Sequence, residues 1–177
     1  MIDSENNDIN DGIRNRVEES GLVQIDLDRL SSIKCVELDF TDWLWEGVVV
    51  KEKDFRAKVR DLKSENFLGL GVGITCTQEA IVPDWAWMLI SSKLYSAEFV
   101  VVGGLENAKA ESIKRAIDCL SIEEYSDKRV VIRGCANSGG ASALIQIQQK
   151  LQPVVKSLMF GEACSTVPIY KSVPHKK

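Results

Sequence analysis

The sequence is short of the residues that catalytic and metal sites draw on most. It holds a single histidine, His175, near its end, which leaves Ser-His or Cys-His catalysis without a base. No apolar run reaches 18 residues, so no transmembrane helix is expected. The opening stretch MIDSENNDIND has no apolar core and does not read as a secretory signal, so a cytoplasmic location is the default expectation. An excess of positive charge is missing too. The formal net charge is −4, and residues 1–12 carry Asp3, Glu5, Asp8 and Asp11 with no Lys or Arg. Beyond residue 12, acidic and basic residues balance at 22 each. That balance excludes a basic nucleic-acid footprint and opposes homodimerisation less than a high net charge would. No internal repeat is visible, and no CxxC pair occurs among the five cysteines.

What is present is ordinary globular material. With 177 residues, 45% hydrophobic and 27% charged, the chain suffices for one domain with a real core. The expected organisation is an acidic mobile tail over residues 1–12, one α/β domain over 13–171 and a basic C-terminal tail over 172–177. Residues 11–19 predict a short helix, with Ile13 and Val17 on one side and Gly21 ending it. Val23, Ile25 and Leu27 alternate with polar residues, as do Val36, Leu38 and Phe40, so two half-buried strands are expected. Their clean alternation points to antiparallel neighbours or to sheet edges within residues 22–50. Residues 41–47 read as a turn anchored by Trp43 and Trp45, residues 48–50 as a short strand and residues 52–62 as a helix.

From residue 68 the pattern becomes strand–helix–strand–helix–strand–helix–strand. The strands are 68–76, 98–104, 129–135 and one within 154–164, and the helices are 82–96, 106–120 and 139–152. Near-continuous apolar strands alternating with helices predict a three-layer α/β fold, its sheet mostly parallel with helices on both faces. A last extended piece is expected at 167–170.

In a parallel sheet the carboxyl ends of all strands share one edge, where ligand crevices form. Cys76, Cys135 and Cys164 each follow a strand of this series. Cys35 opens an N-terminal strand, and Cys119 falls on the expected buried face of a helix. Three readings of the edge cysteines stay open: small packed hydrophobes, thiolate ligands for zinc or iron, or a redox or persulfide-carrying thiol. For a metal, Glu162 is the nearest carboxylate to complete the ligand set, and Asp84 is the next. A second candidate is the glycine-rich start of two helices. Gly103-Gly104 and Gly134, with Ser138 and Gly139, could bring backbone amides to a small anion. The spacing matches neither GxxxxGK[ST] nor GxGxxG, so it specifies no nucleotide, and Ser138 equally suits an N-cap. The tryptophans form two pairs, Trp43/Trp45 and Trp85/Trp87. On a helix the second pair diverges by about 200°, and a core role is expected for most of the four. A few exposed Trp side chains would instead suit a protein-interaction module.

The strings LVQIDLDRL, DWLWEGVVVKEKDFR, ITCTQEAIVPDWAWMLI, VVIRGC and LQPVVKSLMFGEACSTVPIYK together resemble a bacterial family of uncharacterised proteins, domain of unknown function 2480, over about residues 13–171. The resemblance brings no established activity. It implies family cysteines at the positions of Cys76, Cys135 and Cys164, and a setting beside iron–sulfur assembly proteins as partners. CANSGGAS departs from the more Pro-containing segment of that family, which weakens an anion-loop role at 135–142.

Overall fold

The computed structural model describes residues 21–134, 139–162 and 165–173. The expected helix at 11–19 lies outside them, as do Cys135, Ser138 and Cys164.

The strands are β1 (Leu22–Asp26), β2 (Cys35–Asp39), β3 (Gly71–Thr75), β4 (Phe99–Val102), β5 (Arg129–Arg133), β6 (Ser157–Glu162) and β7 (Ser165–Lys171). The helices are α1 (Glu52–Asp61), α2 (Asp84–Lys93), α3 (Gly104–Cys119) and α4 (Gly140–Leu151). The α/β class holds, and pairing is mostly parallel, but the strands make two sheets. One has the order β2-β3-β4 and the other β1-β5-β6-β7. The only antiparallel pair among the described residues is β6 with β7. The N-terminal strands are therefore edges and not antiparallel neighbours. β1 runs parallel to β5 and β2 parallel to β3. Their alternation reflects the wet face of an edge position. Val48–Val50 forms no strand; Val49 makes only isolated bridges to Trp45 and Ile81.

Two apolar cores follow from the two sheets. In the first, Val72 and Ile74 of β3 meet Phe55 and Val59 of α1 and Ala86 and Ile90 of α2. Phe40 fills its centre, with ring centroids 5.7 Å from Phe55 and 4.9 Å from Trp87. In the second, Ile25, Val130, Ile132 and Leu158 of the larger sheet meet Ile113 and Ile117 of α3 and Ala143, Ile147 and Leu151 of α4.

Helix α3 explains why one layer of helices serves two sheets. Gly104, Ala108 and Ser112 recur every four residues and are buried. This narrow face lies on the smaller sheet: a Cβ on Gly73 would stand 1.9 Å from the Gly104 carbonyl oxygen. Further along, Arg115 lies over the Phe99 ring of β4. Ile113 and Ile117, about 100° round the helix, face the larger sheet. Helices on both faces are thus present for the smaller sheet, whereas the described helices cover one face of the larger.

Lys150 near the end of α4 donates to the carbonyls of Ile117 and Asp118 at the end of α3. Gly139 at its start abuts Ala110 of α3. The two helices therefore run side by side in the same direction. Each follows the carboxyl end of a strand, so both sheets present their carboxyl ends at the same end of the molecule.

Candidate functional site

At the carboxyl end of the smaller sheet, the segments after β2 and β3 are tied together by one carboxylate. Asp39 accepts from the Thr41 N–H at 2.9 Å, the Thr41 hydroxyl at 2.5 Å and the Thr77 hydroxyl at 2.8 Å. The Thr41 oxygen in turn accepts the Thr77 N–H at 2.9 Å. Burial pushes the Asp39 carboxyl up, but the Thr41 and Thr77 donors outweigh it and hold the group below its ordinary value.

Cys76 stands beside this network. Its thiol donates to the Gln78 carbonyl at 3.4 Å, and the Thr41 hydroxyl lies 3.8 Å from the sulfur. The side chain is half-buried and packs against the aromatic core. Asp39 is linked to the sulfur through Thr41, whose single proton it already receives, so among the described hydrogen bonds no carboxylate accepts from the thiol. The arrangement staples two loops and leaves the sulfur partly accessible. Thr77 follows Cys76 at the strand end that the sequence marks, whereas Glu37, Asp39 and Thr41 are not among the sequence candidates. Their signal is polar side chains on the last residues of a strand and the first of the loop after it.

The Gly103-Gly104 turn occupies the next strand end. Both residues have positive φ, 114° and 73°. In the first turn of α3 the Leu105 N–H donates to Glu37 Oε2 at 2.9 Å. A carboxylate belonging to the chain itself therefore sits where an anion would be held by the helix start.

At the carboxyl end of the larger sheet the geometry is ionic. Arg133 of β5 lies 3.2 Å from Asp26 of β1 and 3.5 Å from Glu162 of β6. Glu162 is thus exposed and paired with a guanidinium, on a different sheet from Cys76. Gly134 is half-buried directly after β5, and Gly139 opens α4 with φ 78°. The strands do not share the single carboxyl edge expected of one sheet: β3 and β4 belong to one sheet, β5 and β6 to the other. Cys76 follows a strand of the first, whereas Cys135 and Cys164 follow neighbouring strands of the second. Among the described residues, no group of three His, Cys, Asp or Glu side chains is placed to hold a metal. The described donors, Cys76, Glu162 and Asp84, do not by themselves fit a zinc or iron site.

The other two cysteines also separate. Cys35 is half-buried, but Cys119 is exposed, contrary to the expected packing role. It lies two residues past Ile117, and that step turns it away from the buried face. The tryptophans follow expectation in the main. Trp43 and Trp85 pack on Phe55, and Trp87 packs on Phe40. Trp45 is the exception: it is exposed, with the Lys51 ammonium 3.6 Å from its ring centroid.

A family model described as a protein of unknown function (DUF2480) matches residues 11–172. The chain belongs to the DUF2480 family. No curated protein and no solved structure matches it. The family match agrees with the resemblance carried by the five strings and assigns no chemistry to this DUF2480 chain. None of its described helices is long and apolar enough to cross a membrane.

Proposed function

We propose that this DUF2480 protein is a thiol protein of sulfur or iron metabolism, with Cys135 and Cys164 as its working pair and Cys76 as a third thiol at the same end of the molecule. The supporting observation is the pairing of β5 with β6. They are parallel neighbours, with Ile132 opposite Phe160. Neighbouring strands lie about 4.8 Å apart. In sequence Cys135 follows β5 by two residues and Cys164 follows β6 by two, and those two strands are neighbours that end on one side of the sheet. Two thiolates suit zinc, iron or a carried sulfur atom. Glu162, already held near that end by Arg133, is the carboxylate closest in sequence. Partners of this reading are iron–sulfur assembly proteins, and its compartment is the cytoplasm, where thiols stay reduced.

The test is metal and sulfane-sulfur analysis, with thiol titration, of the full chain purified without oxygen. Cys135→Ser, Cys164→Ser and Cys76→Ser should each lose the same bound metal or sulfur, while Cys119→Ala keeps it. A wild-type chain with neither metal nor labile sulfur, whose cysteine variants lose only stability, would defeat the reading.

A second reading, a protein-interaction module, has one specific observation in its favour. β4 is an edge strand of four apolar residues, Phe99–Val102. Met88, which borders a pocket with Val100, Val101 and Val102, is exposed at 73%, and Val102 itself at 57%. Apolar side chains this exposed along an unprotected edge are features of a docking surface. Sedimentation of the wild type against Val101→Lys separates a monomer from an edge-paired assembly. The small-anion reading has less support, because Glu37 already engages the α3 start.

A further inference from the structure

One row of the larger sheet sets a cation on either side of a hydroxyl. Leu22 of β1 pairs with Arg129 of β5, Arg129 with Ser157 of β6, and Ser157 with Lys171 of β7. Register partners share a face. The next residues along, Val130 and Leu158, belong to the core beneath α3 and α4, so this row points to the opposite face. Adjacent strands lie about 4.8 Å apart, which puts the Arg129 and Lys171 backbones about 10 Å from each other with Ser157 midway. Both side chains are long enough to close on that midpoint. Lys156 adds a third cation at the same strand end. Its N–H donates to the Lys128 carbonyl and its own carbonyl accepts from the Ser172 N–H, each at 2.9 Å.

These residues border one cavity of about 400 Å³, together with Met159 and Pro168. None of its described lining residues is acidic. Arg129, Lys156 and Lys171 are exposed, and none of them joins an ion pair among the described residues. The Ser157 hydroxyl makes no hydrogen bond there either. Beyond residue 12 the acidic and basic residues of the chain balance, yet here three cations meet without a counter-charge. Like charges gathered at neighbouring strand ends repel, and a bound anion removes that repulsion. A dianion with several oxygens suits the set. The guanidinium can hold two oxygens in parallel, the ammonium groups approach as point charges, and the hydroxyl donates to a further oxygen. One step along the strands the floor turns apolar, where Met159 stands opposite Pro168. The Met159 sulfur receives the Thr166 hydroxyl at 3.7 Å. The cavity thus has a cationic end and an apolar floor, and a bare inorganic anion would use only the first.

We infer that this cavity is a binding site for a small phosphate monoester, its phosphoryl group over Ser157 between Arg129 and Lys171, with Lys156 as the third cation and the organic body on Met159 and Pro168. Such a group carries close to two negative charges at neutral pH. The site lies at the amino ends of β5 and β6, opposite to the ends that Cys135 and Cys164 follow in sequence, so it stands independently of the thiol reading.

Calorimetric titration of the full chain at low salt tests this, with phenyl phosphate as the probe beside inorganic phosphate. Phenyl phosphate should bind once per chain and more tightly than inorganic phosphate. Arg129→Gln and Lys171→Gln should each weaken it by about tenfold, while Lys58→Gln on α1 leaves it unchanged. Ser157→Asp sets a carboxylate between the two cations. It should abolish binding while the melting midpoint holds or rises, so that the loss is not one of folding. The inference is overturned if the wild type shows no saturable binding of phenyl phosphate, if inorganic phosphate binds as tightly as the ester, or if Arg129→Gln and Lys171→Gln bind as the wild type does. Co-sedimentation with vesicles containing phosphatidic acid separates the two sources of a phosphate monoester. The chain should stay in the supernatant; vesicle binding without phenyl phosphate binding would overturn the small-molecule site and assign the cations to a lipid surface.

Discussion

Replacing Gly73 by alanine tests the close seating of α3 on the smaller sheet. Gly73 is buried in the central strand β3, and a Cβ there would lie 1.9 Å from the Gly104 oxygen, 2.4 Å from its carbonyl carbon and 3.0 Å from its Cα. Ordinary contact begins at 3.4 Å, so the helix start must retreat by about 1.5 Å. The obstacle is backbone and has no rotamer to change. Retreat would also strain the Leu105–Glu37 hydrogen bond and open the narrow Gly104, Ala108, Ser112 face. Overpacking of a core costs about 1–3 kcal/mol, and a rigid backbone obstacle belongs at the upper end. At about 3 kcal/mol, a chain of this length should melt about 6–12 °C lower. Gly71→Ala provides the contrast, because its Cβ would meet the tip of the Phe99 ring, which can swing aside. Gly69→Ala is the strain control, with positive φ and no atom within 4 Å of the added carbon. It should cost about 1–2 kcal/mol from conformation alone. The assay is thermal and urea unfolding, with unchanged denaturant slope as the sign that the two-state comparison is sound. A Gly73→Ala midpoint no lower than that of Gly69→Ala would refute the close seating of α3.

Two further perturbations address the strand ends. Glu37→Gln keeps an acceptor for Leu105 N–H but removes the charge at the start of α3; it should cost about 0.3–1 kcal/mol at low salt and nearly nothing in 1 M salt, read from unfolding midpoints. If that helix start has intrinsic anion affinity, inorganic phosphate should stabilise Glu37→Ala more than the wild type, and equal responses would remove the small-anion reading. The Asp39 carboxyl is held below its ordinary value, so its contribution is complete above the unfolded carboxyl pKa and is lost as pH falls through the lower folded value. The stability gap between wild type and Asp39→Asn should therefore close below about pH 4; a gap independent of pH down to acid unfolding would show that Asp39 is not ionised in the folded chain.

Local periodicity carries the elements because it is set by which face of each one is dry. The 3.6-residue stripe of Phe55 and Val59, the alternation of Val23 with Ile25, and the apolar runs of β3 to β6 are readable without any partner. The face of α3 with Ile113 and Ile117 is legible for the same reason. Its second face is not, because Gly104, Ala108 and Ser112 are neither strongly apolar nor bulky. They matter only once Gly73 lies opposite. The division into two sheets was illegible on the same ground. Strand partnership is a choice between distant segments, and β3 and β5 look alike in composition while belonging to different sheets.

The candidate site divides in the same way. That cysteines follow strands is a property of sequence order, and it located Cys76 correctly at the end of β3. Which strand ends adjoin is a property of hydrogen-bonded pairing. That pairing sets β5 beside β6 and puts Cys76 on the other sheet. It also brings Asp39 to Thr77 across 38 positions and Glu37 to Leu105 across 68. A carboxylate in sequence carries no mark of the amide it will meet. The sequence by itself determined the α/β class, the order of elements and the family. The tertiary structure decided the sheet partners, the double role of α3 and the identity of the groups at each strand end, because those depend on contacts between segments that no local pattern encodes.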